Sequence, residues 1–220
     1  MLSQRLTAVF DLTRPGSVAD IGTDHGYLAA AYALDGRFAP VIAADVAADP
    51  LRKAVDYAAQ LGIADKIDFR LGDGLTVLAP GEVDTAVIAG VGGETASAIL
   101  ECCLWAKEGM ELIFQPMSRP DVLRRTLWQR GFCITHESFV RENGRIFSLI
   151  KAKGGSMEKP DRAQELVGVC SEDDPLFAEY KAWVIRFTRK ALLEIQTGGG
   201  SPEKAEDMAE LLALLEKTGG

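Results

Sequence analysis

The sequence predicts an α/β fold in which a parallel sheet is covered by helices on both faces and closed by an antiparallel hairpin. Five short apolar segments alternate with helical patterns, and strands that are buried on both faces produce such apolar runs. Two more strand-like segments then follow each other without a helix between them. A polar, glycine-containing segment and two helical patterns come last, which predicts a small helical hairpin after the sheet.

The elements are predicted in the following order. Leu2, Leu6, Val9 and Phe10 recur at helical spacing, so the chain begins with a short amphipathic helix that ends before Pro15. Apolar composition predicts buried strands at residues 17–21, 40–44, 66–71, 83–89 and 110–114. Helical patterns place helices at residues 27–34, at 50–61, from the fourth strand through about residue 107, and at 120–130.

The closing hairpin is predicted over residues 132–140 and 146–152, with turn residues Glu142 to Arg145 between its strands. It adds an antiparallel strand at the edge of the sheet. This plan is usual for Rossmann-like methyltransferases, whereas nicotinamide dehydrogenases normally continue into a substrate domain.

After Lys153 the sequence continues with the polar, glycine-containing segment Gly154-Gly155-Ser156, which predicts two units, residues 1–153 and 154–220. Helices are expected at about residues 175–196 and 202–217, joined by a segment that contains three glycines. One stripe of the last helix is expected to pack against apolar side chains of the helix before it. The stripe is Ala205, Met208, Leu212 and Leu215, and the expected partners are Trp183, Phe187 and either Leu192 or Leu193.

The net charge of −8 argues against a nucleic-acid partner, but its distribution weakens that objection. Residues 119–153 contain eight basic and three acidic residues, a local net charge of +5, which leaves −13 for the remainder. The asymmetry permits a basic patch on an acidic protein. Ordinary solvated surface charge explains it equally well.

Cysteine and histidine usage indicates a reduced protein without a metal site. The four cysteines show neither C-x-x-C spacing nor a disulfide framework, and the two histidines are far apart. No stretch approaches the roughly 18 apolar residues of a transmembrane helix, and the first 14 residues do not resemble a signal peptide. We therefore expect a cytoplasmic protein without membrane or metal partners, either a monomer or a weak homodimer.

An acidic residue and a glycine follow the first strand, at the place where doubly wound sheets bind ligands. Asp20 stands at the strand end and Gly22 lets the backbone approach a ligand closely. A carboxylate there suits a ligand with a cationic amino group, such as S-adenosylmethionine, and repels a pyrophosphate. The dinucleotide pattern G-x-G-x-x-G is absent from this loop.

Two more acidic residues follow the next two strands. Asp45 comes 25 residues after Asp20 and suits the two hydroxyls of an adenosine ribose. Asp73, with Gly74, follows the third strand and suits the adenine amino group. Because the carboxyl ends of parallel strands share one edge of the sheet, the three acids form one candidate cofactor site. Helix capping or turn formation is the alternative role for each.

With these motifs in view, the chain resembles the TrmK-type family of bacterial tRNA (adenine-22-N1) methyltransferases. Residues 2–6 are similar to the family's L-S-x-R-L and residues 20–28 to its D-I-G-S-D-H-A-Y-L. Residues 72–75 match G-D-G-L, 88–93 resemble I-A-G-M-G-G, and 112–116 resemble L-I-L-Q-P. Departures from the family pattern include Ala29, Asp45, Val91 and Met117.

The resemblance implies a Rossmann-like class I methyltransferase that binds S-adenosylmethionine and methylates N1 of adenine 22 in tRNA. Asp24 and His25 are the candidate catalytic residues, Asp24 as a charge that offsets the methylated ring. Besides Asp20, Gly22, Asp45, Asp73 and Gly74, cofactor contacts are expected from Thr23, His25, Leu28, Val46, Ala89 and Gly90. Substrate contacts are expected from Arg5, Val91, Gly92, Gln115 and Pro116.

Three alternatives remain at this point. The chain could methylate another RNA position or a small molecule, although no insertion that would form a lid is evident. It could instead be a catalytically idle S-adenosylmethionine-binding module that assembles partners through its helical hairpin. A nicotinamide oxidoreductase is disfavoured by the missing glycine pattern and by the closing hairpin.

Overall fold

A computed structural model describes residues 2–170, 172–199 and 201–217 of the chain. Met1, Ser171, Gly200 and residues 218–220, which belong to the two predicted units, lie outside the described residues. None of the helices in the described part is long and apolar enough to cross a membrane.

The described residues form seven strands and eight α-helices. The strands are β1 (Gly16–Ile21), β2 (Phe38–Asp45), β3 (Ile67–Leu71), β4 (Thr85–Ala89), β5 (Glu111–Gln115), β6 (Phe132–Glu142) and β7 (Arg145–Gly154). The helices are α1 (Gln4–Leu12), α2 (Tyr27–Asp35), α3 (Ala48–Gln60), α4 (Gly93–Glu101), α5 (Pro120–Gln129), α6 (Arg162–Val167), α7 (Phe177–Thr197) and α8 (Pro202–Lys217).

All seven strands belong to one sheet, in the order β3-β2-β1-β4-β5-β7-β6. The first five strands of this order are parallel to one another, and β7 is antiparallel to both β5 and β6. The predicted fold class is therefore confirmed. The second strand of the hairpin, β7, pairs with β5, and the first strand, β6, forms the edge of the sheet.

Several elements differ from the prediction at their ends. The helix predicted through residue 107 ends at Glu101, and a separate 3₁₀ turn covers Leu104–Lys107, because Cys103 leaves the helical region with φ −136° and ψ 61°. Helix α6 lies in the segment predicted to be a linker. Its N-terminus is closed by a capping box between Asp161 and Gln164, which stabilises such a short helix.

Alternation along the strands divides the core into two layers. Ile21, Ile88 and Phe114 lie in the layer that also contains apolar residues of α4 and α5. Val18 and Val87 lie in the opposite layer, against α1, α2 and α3. Adjacent residues of one strand thus serve opposite faces, and burial on both faces explains the apolar runs in the sequence.

The C-terminal helices pack on the hairpin through a third core cluster. Phe139 of β6 packs there with Tyr180 and Val184 of α7 and with Leu215 of α8. Trp183 and Phe187 do not take part and are 52% and 64% exposed. The expected packing of the last helix against these two aromatic residues is therefore wrong, because α7 turns its Tyr180 and Val184 face toward the core.

The same pattern resolves the choice between the two adjacent leucines of α7. Leu193 is exposed, whereas Leu192 is half-buried. On α8, Ala205, Met208 and Leu212 are half-buried. The predicted stripe of α8 is therefore present, although its partner face on α7 differs from the expected one.

A buried ion pair connects α5, the sheet and the C-terminal helices. Arg124 Nε donates to Glu137 Oε1 over 2.6 Å, and the two side chains are 0% and 1% exposed. Arg124 also donates to the carbonyl oxygens of Glu165 and Leu166, at 2.8 and 3.1 Å, and to Ser148 Oγ at 3.2 Å. Glu137 Oε2 accepts the backbone N–H groups of residues 169 and 170.

Replacement of Arg124 by methionine is expected to lower the free energy of unfolding by about 3–5 kcal/mol, because Glu137 would remain buried without its partner charge. Urea denaturation measures the change. Arg130→Met is the matched control, since Arg130 pairs with Glu101 at the surface, where a pair contributes less than about 1 kcal/mol. Equal losses for the two variants would contradict a stabilising role for the buried pair.

Candidate functional site

A crevice of about 570 Å³ opens at the carboxyl edge of the sheet, within the volume range of small-molecule sites. It lies where β1 adjoins both β2 and β4, the point at which the strand order reverses and at which open α/β sheets bind ligands. Fourteen residues predicted for the site line it: Arg5, Asp20, Gly22, Thr23, Asp24, His25, Leu28, Asp45, Val46, Asp73, Gly74, Ala89, Gly90 and Val91.

Asp20 is a buried carboxylate at the end of β1. It is 4% exposed and accepts a hydrogen bond from Thr23 Oγ1 over 2.7 Å. Burial raises the pKa of Asp20 to about 6, with the hydrogen bond from Thr23 opposing the shift. A cationic group bound in the crevice would favour the ionised form, so this carboxylate suits the amino group of an amino-acid ligand.

Asp45 connects the loop after β1 to the loop after β2. Its Oδ1 accepts the Ala47 amide at 2.9 Å and its Oδ2 accepts the Asp24 amide at 3.2 Å. The turn role foreseen as an alternative is thus present. A carboxylate has about four acceptor positions, so two amides leave capacity for the hydroxyls of a ribose.

Asp73 begins the turn after β3, and its side chain is exposed at the crevice. The adjacent 3₁₀ turn, Gly74–Val77, has no side-chain cap from Asp73. Within the described residues, no hydrogen bond or ion pair of the Asp73 carboxylate is found. The capping role is therefore absent, and this carboxylate is available to a ligand.

Asp24 and His25 lie at the mouth of the crevice. Asp24 adopts a left-handed conformation with φ +48°, which aspartate tolerates better than most residues. Its side chain is 65% exposed and lies 3.6 Å from His25 Nε2. The His25 ring stacks on Tyr27 with 5.4 Å between centroids. Both candidate catalytic side chains are therefore accessible to a substrate.

Arg5 reaches the crevice from α1 and is held by the sheet. Its Nε donates to Glu142 Oε2 and its Nη1 to Gln115 Oε1, both over 2.6 Å. Its guanidinium also lies 5.2 Å from the ring centroid of Phe147. The ion pair between Arg5 and Glu142 thus joins α1 to β6, and it fixes the arginine at the rim of the crevice.

Residues 116–119 form a ridge on one side of the crevice. The amide of Met117 donates to the carbonyl of Val91 over 2.8 Å, and the amide of Gly93 donates to the carbonyl of Ser118 over 2.7 Å. A Cβ atom on Gly93 would lie 2.0 Å from the Arg119 carbonyl oxygen. The second glycine of the Gly92-Gly93 pair is therefore required for the ridge to pack against α4.

Three residues predicted to contact the substrate are not brought into the crevice. Gln115 is fully buried, and its amide group is engaged by Arg5 and by the carbonyl of Pro116. Pro116 lines a different concavity on the far side of the ridge. Gly92 does not line the crevice, and a Cβ atom added to it would lie 3.2 Å from Ser118 Oγ.

Seven lining residues were not predicted from the sequence. Most of them are neighbours of predicted positions, so the motifs themselves carry the signal. Thr95 and Ile99 lie on α4 one helical turn apart, and this spacing indicates only a helix face. The seven residues are Leu6, Ile21, Tyr27, Ala44, Gly72, Thr95 and Ile99.

The basic character of residues 119–153 is largely neutralised by ion pairs. Across this range, all of which the structure describes, six of the eight basic side chains pair with carboxylates. Arg145 and Lys153 are the two that do not. The segment therefore does not form a broad basic patch. Of the two basic residues without a carboxylate partner, Arg145 lies nearer to the ridge than Lys153 does.

Comparison with known proteins gives a consistent result. The sequence pattern of a family described as "Methyltransferase domain" matches residues 2–150. The chain is 28% identical over 224 residues to the tRNA (adenine(22)-N(1))-methyltransferase of Bacillus subtilis, covering 98% of this chain and 94% of the relative.

Solved structures agree with the sequence match over the whole chain. The B. subtilis M1A22 tRNA methyltransferase TrmK superposes with a TM-score of 0.89 at 26% identity, covering 100% of this chain and 99% of that one. A putative tRNA (m1A22) methyltransferase of Streptococcus pneumoniae, solved in complex with S-adenosyl-L-methionine, has a TM-score of 0.82 at 27% identity, with 100% of both chains covered.

Asp20→Asn is expected to raise the free energy of unfolding of the ligand-free protein by about 1–3 kcal/mol at pH 8. With a folded pKa of about 6 and an ordinary value of 3.8, Asp20 binds its proton more tightly in the folded state. Stability therefore falls as pH rises from about 4 through 6, and the gain of the variant should disappear below about pH 4.

Urea denaturation between pH 4 and pH 8 measures this effect, with the exposed Asp49→Asn as control. The affinity of the wild type for S-adenosylmethionine, measured by calorimetry, should fall up to tenfold per unit as pH drops below 6. An affinity that is flat between pH 5 and pH 8 would contradict a charged partner for Asp20.

Proposed function

The chain belongs to the methyltransferase domain family and is of the TrmK type, and from this premise we propose that it methylates N1 of adenine 22 in tRNA. The methyl donor is S-adenosylmethionine. The observation that carries the proposal is the match to the B. subtilis enzyme, which extends over 98% of this chain. The match therefore includes the C-terminal helices as well as the crevice.

The donor set of the crevice fits S-adenosylmethionine. Asp20 would hold the amino group, Asp45 the ribose hydroxyls, and Asp73 with Gly74 the adenine. The unengaged Asp73 carboxylate and the buried Asp20 carboxylate are each at the end of a strand, as an elongated ligand across the sheet edge requires. When bound, S-adenosylmethionine supplies an electrophilic methyl group on a positively charged sulfur.

Transfer to N1 of adenine needs no proton removal, since that nitrogen carries a lone pair in the neutral base. The bond from N1 to the methyl carbon forms as the carbon–sulfur bond breaks, and the positive charge moves onto the adenine ring. The chain therefore contributes chiefly orientation and electrostatic stabilisation. Gly90 has φ +80°, and a Cβ atom added to it would have no neighbouring atom within 4 Å, so this glycine leaves room for the base.

Asp24 is positioned to offset the charge that develops on the adenine. Its carboxylate is exposed at the crevice mouth and has His25 as its neighbour. Its amide is separately held by Asp45, so the backbone of the loop is fixed without help from the Asp24 side chain. Thr23, Leu28, Val46 and Ala89 complete the proposed cofactor contacts.

The substrate geometry requires the base to leave its stack. Adenine inside a folded tRNA reaches the crevice only when it is extruded from the RNA. We assign this capture to Arg5, Val91 and the ridge, within a catalytic unit of residues 1–153, and assign support of the RNA body to residues 154–220. The cytoplasm, where tRNA is available, is the corresponding location.

The first test uses unmodified tRNA transcripts that carry either A or G at position 22. Purified protein with radiolabelled S-adenosylmethionine is expected to label only the A22 transcript, and nuclease digestion should yield labelled 1-methyladenosine monophosphate. Cofactor binding without transfer to either transcript would reject the tRNA activity and favour a small-molecule enzyme or an assembly module.

Asp24→Asn is expected to lower kcat about ten- to a hundredfold, in line with the loss of one electrostatic contact in a transition state. The dissociation constant for S-adenosylmethionine should change less than twofold, because asparagine tolerates the same left-handed backbone. Single-turnover kinetics and calorimetry separate the two effects. An unchanged kcat would leave Asp24 with a role in loop shape only.

A further inference from the structure

A second concavity, here called the aromatic groove, lies on the far side of the ridge from the crevice. It has a volume of about 370 Å³ and is enclosed by the ridge, β7 and α7. Met117, Arg119, Arg145, Phe147, Trp183 and Phe187 are among its lining residues. None of these six residues lines the crevice, although Met117 and Phe147 contact Arg5 at its rim.

Two exposed aromatic rings continue a stack that begins in the core. The ring of buried Tyr180 stacks on Trp183, and Trp183 stacks on Phe187, with 5.9 Å between the centroids of each pair. The interplanar angles are 28° and 21°. Large aromatic side chains contribute most when buried, so a ledge of Trp183 and Phe187 that is more than half exposed marks a binding surface.

The charges around this ledge are positive. Arg119 and Asp121 pair with each other in the groove. Arg145 and Arg186 line a smaller cavity beside Trp183 together with Glu179, but Glu179 is engaged by Arg141. Among the described residues, neither Arg145 nor Arg186 has a carboxylate within ion-pair distance. An otherwise acidic chain thus presents, next to exposed aromatic rings, two arginines that form no ion pair with the described residues, although Glu179 interacts with Arg186 at longer range.

The aromatic groove and the crevice lie on opposite sides of the ridge. Met117 lines the groove, and its backbone amide bonds the carbonyl of Val91, a residue that lines the crevice. The Met117 sulfur also lies 3.1 Å from Nη1 of Arg5, at the crevice rim. One short segment therefore separates the two concavities, and an extended ligand can cross it.

We propose that the aromatic groove binds unpaired nucleotides of the tRNA that flank the target adenine. The bases stack on Trp183 and Phe187, and the phosphates lie against Arg145 and Arg186. Stacking on aromatic rings suits single-stranded or extruded bases of any sequence, and arginines beside the stack suit the backbone. This inference rests on the proposed function and specifies how the substrate is held.

The charge pattern favours RNA over another protein molecule as the occupant. A second copy of this chain, with a net charge of −8, would offer separate carboxylates without a planar ring beside each charge. A nucleic acid brings a phosphate at every residue together with a planar base. The ring ledge of the aromatic groove would then contact bases, and Arg145 in the groove and Arg186 in the smaller cavity beside it would contact phosphates.

The test compares Trp183→Ala and Phe187→Ala with the wild type in binding an unmodified A22 tRNA transcript. Each variant should weaken tRNA binding about ten- to a hundredfold, the loss expected for one stacked base, with the affinity for S-adenosylmethionine unchanged. Trp183→Phe, which keeps a ring, should retain most of the binding. Leu193→Ala is the matched control, since Leu193 is also exposed on α7 but does not line the groove.

Arg145→Gln tests the proposed phosphate contact independently of the aromatic residues. It should weaken binding at low salt and reduce the slope of log Kd against log salt concentration by about one, as the loss of one phosphate contact predicts. Ultraviolet cross-linking of the wild type to the transcript should map to residues 180–188. An unchanged salt slope together with cross-links elsewhere would overturn the assignment.

The outcomes also separate this inference from the proposed function. If both alanine variants bind tRNA with wild-type affinity and show wild-type kcat/KM, the aromatic groove is not an RNA site. Methylation of A22 by these variants would still support the proposed activity. Cross-links at the groove without methyl transfer would reject the activity and support the RNA surface. Loss of self-association in sedimentation velocity, with tRNA binding unchanged, would identify a second copy as the occupant and overturn the proposal.

Discussion

The burial of Arg124 and Glu137 constrains the arrangement of nearly everything on the C-terminal side of the sheet. Removing two charges from water costs several kcal/mol for each ion, and the cost is recovered only when the remaining donors and acceptors are satisfied. Here those partners come from β7, from α6 and from the segment after it. The pair therefore holds α6 and the segment after it against the sheet, because moving them away would leave the buried charges without these hydrogen-bond partners.

Helix α7 begins shortly after this segment and shapes the surface of the aromatic groove. Tyr180 and Val184 pack toward Phe139 of the sheet, and the same rotation of the helix leaves Trp183 and Phe187 outside the core. The ridge of residues 116–119 is held between the crevice and this helix by backbone bonds to residues 91 and 93. Cofactor site, ridge and aromatic groove thus form one continuous surface, built from segments that are distant in sequence.

The crevice itself combines a fixed backbone with an energetically unfavourable charge. Asp45 holds the loop after β1 through the amide of Asp24, whereas Asp20 is buried with one side-chain hydrogen bond and a raised pKa. A carboxylate of this kind lowers the stability of the ligand-free protein at neutral pH and becomes favourable when a cation binds beside it. Ionised Asp20 therefore lowers the free energy of unfolding of the ligand-free protein, and a cation bound beside it would offset this loss.

The sequence by itself determined the fold class, the order of the elements apart from α6, and most of the residues that line the crevice. Burial on both faces of a parallel sheet leaves an apolar run in the chain, and each acidic residue at a strand end is brought to the same edge by the parallel arrangement. Local patterns therefore sufficed for Asp20, Asp45 and Asp73.

Only the tertiary structure decided which side of α7 is buried, where Gln115 and Pro116 face, and which basic residues remain unpaired. Gln115 ends its strand as the motif suggested, but its amide is used by Arg5, 110 residues away in sequence. Six charges of the 119–153 segment are neutralised by carboxylates, some from distant elements. These outcomes depend on contacts between segments far apart in the chain, and neither spacing nor composition encodes which of the competing partners will meet.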